Sequence, residues 1–367
     1  STDVRGEYLD NGTYDPTVGT YAPPYEAIAQ VWRSASSLRS RLDVMDGDES
    51  AEKEGYYTAY LYQALPCYLL GTYYGNGPTY PDNGGATLNE SVFMSSNDLY
   101  SMALAYFDSA MVYADDYQAK IIHSLMGRQY LYAGNFSAAA QHSILGLQEG
   151  DEPFEAVPGE ENPWPNWYWY EAGSNRTRYT LASRFKFLLG EDFEDTNGNG
   201  TWDSTEVFTD CAVLGADVGQ GDGIYNGPSE PEEIVRLLMS AAAMTPGQSY
   251  VRYFQMKYPN ADSPIPIINW QENHLIIAEL ALRNESVSVS ALDAVNAVRA
   301  SHGLSSLGSI DFNLLLHERD KELFCQGQRL IDQNRFPDLL SWHIIGEGTW
   351  HYLPVPFEEE LSNPNYP

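Results

Sequence analysis

Between residues 119 and 147 the chain reads AKIIHSLMGRQYLYAGNFSAAAQHSILGL, and Gly127, Tyr130, Gly134, Ala139, Ser143 and Gly146 follow one another at spacings of 3, 4, 5, 4 and 3. Small residues recurring at helical spacing on both sides of a Gly134-Asn135 break predict two antiparallel helices whose backbones approach closely, with Tyr130 filling the gap between them. Few other patterns restrict a chain so strongly, because the small positions are useful only if a partner helix lies against them.

These are the spacings of the small and aromatic positions of a tetratricopeptide repeat. The preceding segment, SNDLYSMALAYFDSAMVY from Ser96, opens on Ser/Asn/Asp capping chemistry and places Ala103, Phe107 and Ala110 on one face, the matching second half of a helix pair. A third pair is predicted in NHLIIAELALRN followed by SALDAVNAVRA. Residues 25–45 and 52–74 are also apolar at helical spacing, the second run stopping at GNGPTYPDNGG. The expected fold is mainly α, one domain over 1–367: helix pairs over 96–148, a loop-rich insertion over 149–263 and a helical C-terminal part over 269–336.

The insertion differs in kind. Gly, Pro, Asn and Asp dominate it, with short helices expected in LASRFKFLLG and over 234–244. Its aromatic density argues against disorder, and long ordered loops in a compact domain are usually functional. In NPWPNWYWYEAG, Trp164, Trp167, Tyr168, Trp169 and Tyr170 crowd between prolines; rigid aromatic faces with polar edges suit stacking on sugar rings or gripping a peptide, although alternation assigns about half of them to the core. Tyr73, Tyr74 and Tyr80 in TYYGNGPTYPD form a second aromatic patch with the same two readings.

Within the insertion, DTNGNGTWDSTE places Asp195, Asn197, Asn199, Thr201, Asp203 and Glu206 at positions 1, 3, 5, 7, 9 and 12 of an EF-hand loop, with Gly200 at the turn. Ca2+ is the expected cofactor. The flanks FED and VFTDC are not the long amphipathic helices of a sensor, so the loop is read as a staple that orders the insertion, not a switch. Asp217 and Asp222 in DVGQGDGIYNG are candidates for a second site.

Charge excludes whole classes of partner. Against 51 acidic residues stand 20 basic ones, a net charge of -31 spread along the chain, which opposes nucleic acid and anionic membrane surfaces. The same charge suits a high-salt habitat or an acidic secreted protein. No run approaches the roughly 18 apolar residues of a membrane span, and STDVRGEYLD is not a signal peptide. Cys67, Cys211 and Cys325 lack metal-ligand spacing and are expected as buried thiols, with a single disulfide as the lesser option. No phosphate loop, HExxH or GxSxG is present; carboxylate pairs such as Glu160-Glu161 and Glu318-Glu322 are expected by chance in so acidic a chain, and His123, His142 and His274 fall on helices. No catalytic residue is assigned.

In DFNLLLHERDKELFCQGQRLIDQNRFPDLL the stripe Phe312, Leu316, Leu323, Leu330 is interrupted by Arg319, for which Glu322 is the nearest partner, and Arg329 with Asp332 repeats the arrangement. This passage resembles the late helix of the SusD/RagB family of nutrient-binding outer-membrane lipoproteins, roughly E-R-x-x-E-L-x-x-E-G-x-R-x-x-D-L-x-R. Glu318, Arg319, Glu322, Leu323, Gly327, Arg329, Asp332 and Arg335 match it, while Gln326 and Gln333 depart. HYLPVPFEEELSNPNYP resembles the family's closing L-P-[IV]-P-x-x-E-[IL]-x-x-N-P. LDAVNAVRASHGL resembles its N-x-V-R-x-R-A-G-L, apart from Ser301 and His302, and YYGNGPTY its Y-G-x-x-P-[YLF].

The resemblance implies a helical scaffold on the extracellular face of the outer membrane, tethered by a lipidated N-terminal cysteine that precedes this sequence and capping a SusC-like TonB-dependent transporter. It implies an oligosaccharide or peptide ligand, and its C-terminal motif residues as structural elements. The expected function is ligand capture without covalent chemistry, at the loops of Tyr73 to Tyr80 and Trp164 to Tyr170. The rivals are a helical glycoside hydrolase and a calcium-stabilised surface scaffold.

Overall fold

The computed structural model describes residues 22–45, 47, 49–79, 92–159, 165–173, 192–199, 202–209, 236, 239–242, 252–337, 339 and 351–367. In chain order the elements are α1 (Ala22–Leu42), α2 (Glu49–Leu69) running into a π-helical turn (Leu70–Tyr74), β1 (Asn76–Thr79), β2 (Val92–Ser95), α3 (Ser96–Met111), α4 (Asp116–Tyr132) and α5 (Phe136–Ser143). They continue with β3 (Phe154–Ala156), α6 (Trp167–Ala172), β4 (Asp192–Phe193), β5 (Phe208–Thr209), β6 (Met239–Ala242), β7 (Arg252–Gln255) and β8 (Ile265–Ile268). The last are α7 (Trp270–Leu282), α8 (Ala291–Ser301), α9 (Phe312–Glu322), α10 (Arg329–Arg335) and α11 (Phe357–Ser362). The fold is mainly α, as expected. Two compact units divide it, one from Ser1–Glu152, Ile268–Ala294 and Arg329–Pro367, the other from Pro153–Ile267 and Val295–Gln328. Among the described residues no helix is long and apolar enough to cross a membrane.

In the first unit the helices begin where their sequences provide caps. Ser95 Oγ accepts from the Asp98 N–H at 3.3 Å, and Asp115 and Gln118 close a capping box on α4, the Gln118 N–H donating to Asp115 Oδ1 at 2.8 Å and the Asp115 N–H to Gln118 Oε1 at 2.9 Å. At the predicted break Gly134 takes a φ of +76°, and Asn135 caps α5. Ala103, Phe107 and Ala110 of α3 are all fully buried. A Cβ on Gly127 would land on Ser143 Oγ, and one on Gly146 on Ser124 Oγ, so the glycines serve the close helix approach that their spacing implied. Across the hairpin, His123 Nδ1 and His142 Nδ1 share one hydrogen bond of 3.0 Å, and burial lowers both imidazole pKa values.

The third helix of the stack comes from far along the chain. Ile276 and Leu280 of α7 join Leu131, Ala139 and Ala140 in one apolar cluster. Asn273 Nδ2 donates to the Ser143 and Leu147 carbonyls, each at 2.9 Å, satisfying the end of α5. Below this cluster Arg128 Nη1 meets both oxygens of Glu272 at 3.2 and 3.1 Å, both residues buried, with the Arg128 guanidinium 4.9 Å from the Tyr68 ring centre.

The second unit holds short antiparallel ladders and a buried charge network, and it corrects several expectations. Over 234–244 a helix was expected; Arg236 is helical, but Met239–Ala242 forms a strand paired with Arg252–Gln255, because a neighbouring strand outweighs the helix preference of Ala and Met. Phe312 to Leu330 is not one helix. The chain leaves helical geometry after Glu322, with Cys325 and Gly327 at φ of +57° and +79°. Glu322, expected beside Arg319, instead faces His302 Nε2 at 2.9 Å and Arg236 at 3.7 Å; Glu318 holds Arg236 and Arg299, each at 2.8 Å. Lys257 Nζ, its pKa lowered by burial, donates to the carbonyls of Glu322 and Phe324 at 2.8 and 3.1 Å. Cys67 is buried and Cys325 half-buried, neither of them in a disulfide; Cys211 lies outside the described residues, as does LASRFKFLLG.

Gly127→Ala forces the added methyl against Ser143 in a packed hairpin. It is expected to lower unfolding free energy by about 1–3 kcal/mol, read from the urea midpoint at unchanged slope. A wild-type midpoint would remove the close-approach role of this glycine.

Candidate functional site

Pro66, which has no N–H to give to the helix ladder, lies near the end of α2, and the helix then widens into the π turn over Leu70–Tyr74 before Gly75 reverses the chain at a φ of +73°. Glycine is required twice here. A Cβ on Gly75 would lie 2.8 Å from the Tyr352 ring, and one on Gly71 3.0 Å from the Tyr100 ring. Thr72 Oγ1 and the Tyr100 hydroxyl hydrogen-bond at 2.9 Å, Ser96 Oγ donates to the Gly71 carbonyl at 2.7 Å, and the Leu353 N–H donates to the Tyr73 carbonyl at 2.7 Å. These bonds tie the turn, the start of α3 and the C-terminal segment together in the first unit.

They enclose a cavity of about 440 Å³, within the size range of small-molecule sites. Tyr132, Tyr352, Asn97, Asn334 and Arg335 are among the side chains that line it. Tyr352 is 46% exposed, an open aromatic face. Arg335 lies 5.2 Å from the Tyr132 ring centre, binds Asp332 at 3.1 Å, and pairs with Glu279. Asp332 thus holds Arg335, a pairing that the Arg329-Asp332 spacing did not suggest. No carboxylate, histidine or cysteine lines the cavity among the described residues.

The aromatic residues singled out in the sequence fall in different places. Tyr74 is 5% exposed and packs edge-on against Tyr25 at 5.2 Å, which leaves no free ring face. Tyr73 is half-buried, and burial pushes its phenol up to about 12. Tyr80 and Trp164 lie outside the described residues. Trp167, Tyr168, Trp169 and Tyr170 form the first turn of α6, not an alternating strand, because Asn166 caps it: its side chain accepts from the Trp169 N–H at 3.1 Å and donates to the Ser263 carbonyl at 2.8 Å. Tyr168 is stacked on Tyr258 at 5.5 Å, and Tyr170 lies between Trp167 and Trp169 at 5.4 and 6.4 Å. Trp167, at 56% exposure, is the ring of this group presented to solvent. Sequence spacing missed Tyr100, Tyr132, Asn97 and Tyr352 as a group; the available signal was that Tyr352 and Arg335 lie within stretches already singled out.

In the second unit the EF-hand-like loop is closed by a ladder, Asp192 opposite Thr209 and Phe193 opposite Phe208, in place of flanking helices. Asp195 Oδ1 accepts from the Gly198 and Asn199 N–H groups at 2.6 and 3.1 Å; Asn197 Nδ2 donates to Asp203 Oδ2 at 2.8 Å; Glu206 Oε1 and Oε2 accept from the Thr196 and Asp203 N–H groups at 2.9 and 3.1 Å. Hydrogen bonds from Thr205 hold the Asp203 carboxyl below its usual pKa range. Glu206 is only 5% exposed. Thr201, Gly200, Asp217 and Asp222 lie outside the described residues, among which no three Asp, Glu, His or Cys side chains gather as a metal site.

No protein-family model matches the chain, nor does any curated protein. Solved structures do. A laminarin-binding SusD-like protein is 19% identical, over 100% of this chain and 90% of its own, with a TM-score of 0.68. Surface glycan-binding protein A from Bacteroides uniformis is 16% identical over 99% and 88%, at 0.64, and NanU of B. fragilis 13% identical over 99% and 87%, also at 0.64. The molecule is a mainly helical scaffold. More narrowly, it has the SusD-like fold over its whole length, the fold that its late-helix and closing motifs indicate.

Gly75→Ala places a methyl against the Tyr352 ring at a φ that L-residues rarely adopt. A loss of about 1–3 kcal/mol in chemical denaturation is expected, together with displacement of Tyr352 from the cavity wall, visible as a change in tyrosine fluorescence. Unchanged stability and spectrum would mean that the turn does not hold this ring.

Proposed function

We propose that this protein is a surface glycan-binding protein that captures an oligosaccharide without covalent chemistry and passes it to a SusC-like TonB-dependent transporter, held at the outer membrane by a lipid anchor. The observation that carries the reading is the first-unit cavity, open and walled by Tyr132 and Tyr352 with neutral polar groups beside them, in a chain of SusD-like fold. Flat rings offer contact area to the apolar faces of sugars at little entropic cost, and amides match their hydroxyls. Among the described residues the lining is aromatic and neutral polar apart from Arg335, a wall suited to holding a sugar. Trp167 on α6 is proposed as a second ring for the same ligand class, with a peptide as the alternative ligand.

The test is calorimetric titration of the calcium-loaded protein against panels of oligosaccharides and peptides, repeated with Tyr352→Ala and Trp167→Ala. A glycan is expected to bind, and Tyr352→Ala to weaken it by about five- to tenfold, the size of one lost aromatic contact. Binding of peptides alone would replace the glycan reading, and binding of neither would end the capture reading.

Ca2+ is proposed to staple the loop over 195–206. Asp195, Asn197, Asn199, Thr201, Asp203 and Glu206 would hold it, and the ion would supply the positive charge that the buried Glu206 lacks among its described partners. Calcium at about a hundred times its dissociation constant is expected to stabilise the protein by about 2.7 kcal/mol, read as a rise in thermal midpoint that EDTA reverses and Glu206→Gln abolishes. A midpoint indifferent to calcium would remove the staple.

A further inference from the structure

Building on the glycan reading, we infer that the first-unit cavity selects neutral sugars and turns away carboxylated ones, such as uronates and sialates. Arg335 is the one charged residue that lines it among the described residues, and its charge is already committed. One guanidinium nitrogen meets Asp332 Oδ1 at 3.1 Å and another meets Glu279, while the guanidinium sits over the rings of Tyr132 and Phe336, at 5.2 and 5.1 Å from their centres. Glu279 is also held by Arg283 Nε at 3.0 Å. In these pairings two guanidinium groups stand against two carboxylates, so the four side chains together carry no net charge. Only 12% of the Arg335 side chain reaches solvent.

A second positive feature at the wall is the start of α3, whose first N–H groups lie at Ser96 and Asn97. A helix N-terminus attracts anions. Here the attraction is met from within, because Asp98 stands in the first turn and its Oδ2 accepts the Ser95 hydroxyl at 2.7 Å. A sugar carboxylate entering the cavity would therefore shed water without gaining a counter-charge from the described residues, under the far field of a chain with net charge -31. The pyranose faces and hydroxyls of a neutral sugar lose nothing of the kind. Tyr352 offers a ring and Asn97 an exposed amide on the same wall.

The test compares glucan and galacturonan oligosaccharides of equal length by calorimetry at low ionic strength, with the full chain and with Tyr352→Ala. The neutral ligand is expected to bind about tenfold or more tightly than the uronate, and Tyr352→Ala to weaken the neutral ligand about five- to tenfold. Uronate binding as tight as glucan binding, and lost in Tyr352→Ala, overturns the neutral preference and leaves glycan capture standing. Glucan binding indifferent to Tyr352→Ala overturns it as well, by moving the ligand out of this cavity. Failure of both ligands, and of every other glycan, removes the glycan reading itself.

Discussion

The first unit depends on a buried ion pair. Arg128 of α4 and Glu272 of α7 lie 144 positions apart and meet in the interior under the Tyr68 ring. Burial alone would oppose the arginine's charge, yet Glu272 beside it, with nearby tyrosines, raises the net Arg128 pKa. Such a pair adds little over an apolar substitute of the same shape, but losing one partner leaves a bare charge inside and costs about 3–5 kcal/mol. Its consequence is positional. With the pair made, α7 can lie against the α4–α5 hairpin in one register, which places Asn273 under the end of α5 and Ile276 and Leu280 in the common core.

From that register the cavity follows. Glu279 projects from the same helix and fixes Arg335, and Arg335 in turn lies over the Tyr132 ring at the end of α4. Other parts of the lining are made by close backbone approach, where two glycines admit Tyr100 and Tyr352. A rigid scaffold thus presents one open ring and neutral polar groups, while its ionic groups bind one another. That division of labour suits recognition by stacking and hydroxyl pairing better than recognition by charge.

How much of this was legible differed by the range of the interaction involved. The hairpin at Gly134-Asn135 and the buried face of Ala103, Phe107 and Ala110 were readable, because each depends on neighbours within about two helical turns, while the cap expected within Ser96–Asp98 falls one residue earlier, on Ser95. The late motif pointed to the right fold, yet Glu322 was paired with the wrong arginine: helical spacing proposed Arg319, and the tertiary structure supplied Arg236 and His302. The strand over Met239–Ala242 was misread for the same reason, since its ladder partner lies outside its own segment. The run of Trp167 to Tyr170 was visible as a cluster, but its division into an exposed Trp167 and a Tyr168 spent on Tyr258 was not.

By itself, then, the sequence determined the helical hairpins of the first unit, the small positions where their helices approach and the acidic balance of the chain, all of which follow from composition and local periodicity. The tertiary structure alone decided which rings remain free and which charges are already answered. Tyr74 and Tyr352 look alike in sequence, and one is core while the other is a wall of the cavity; Arg335 reads as one residue of a motif, and its partners Glu279 and Asp332 show only in the fold. The physical reason is that exposure and net local charge are properties of everything that surrounds a side chain, and for these residues the surroundings come from segments that meet only when the chain is folded.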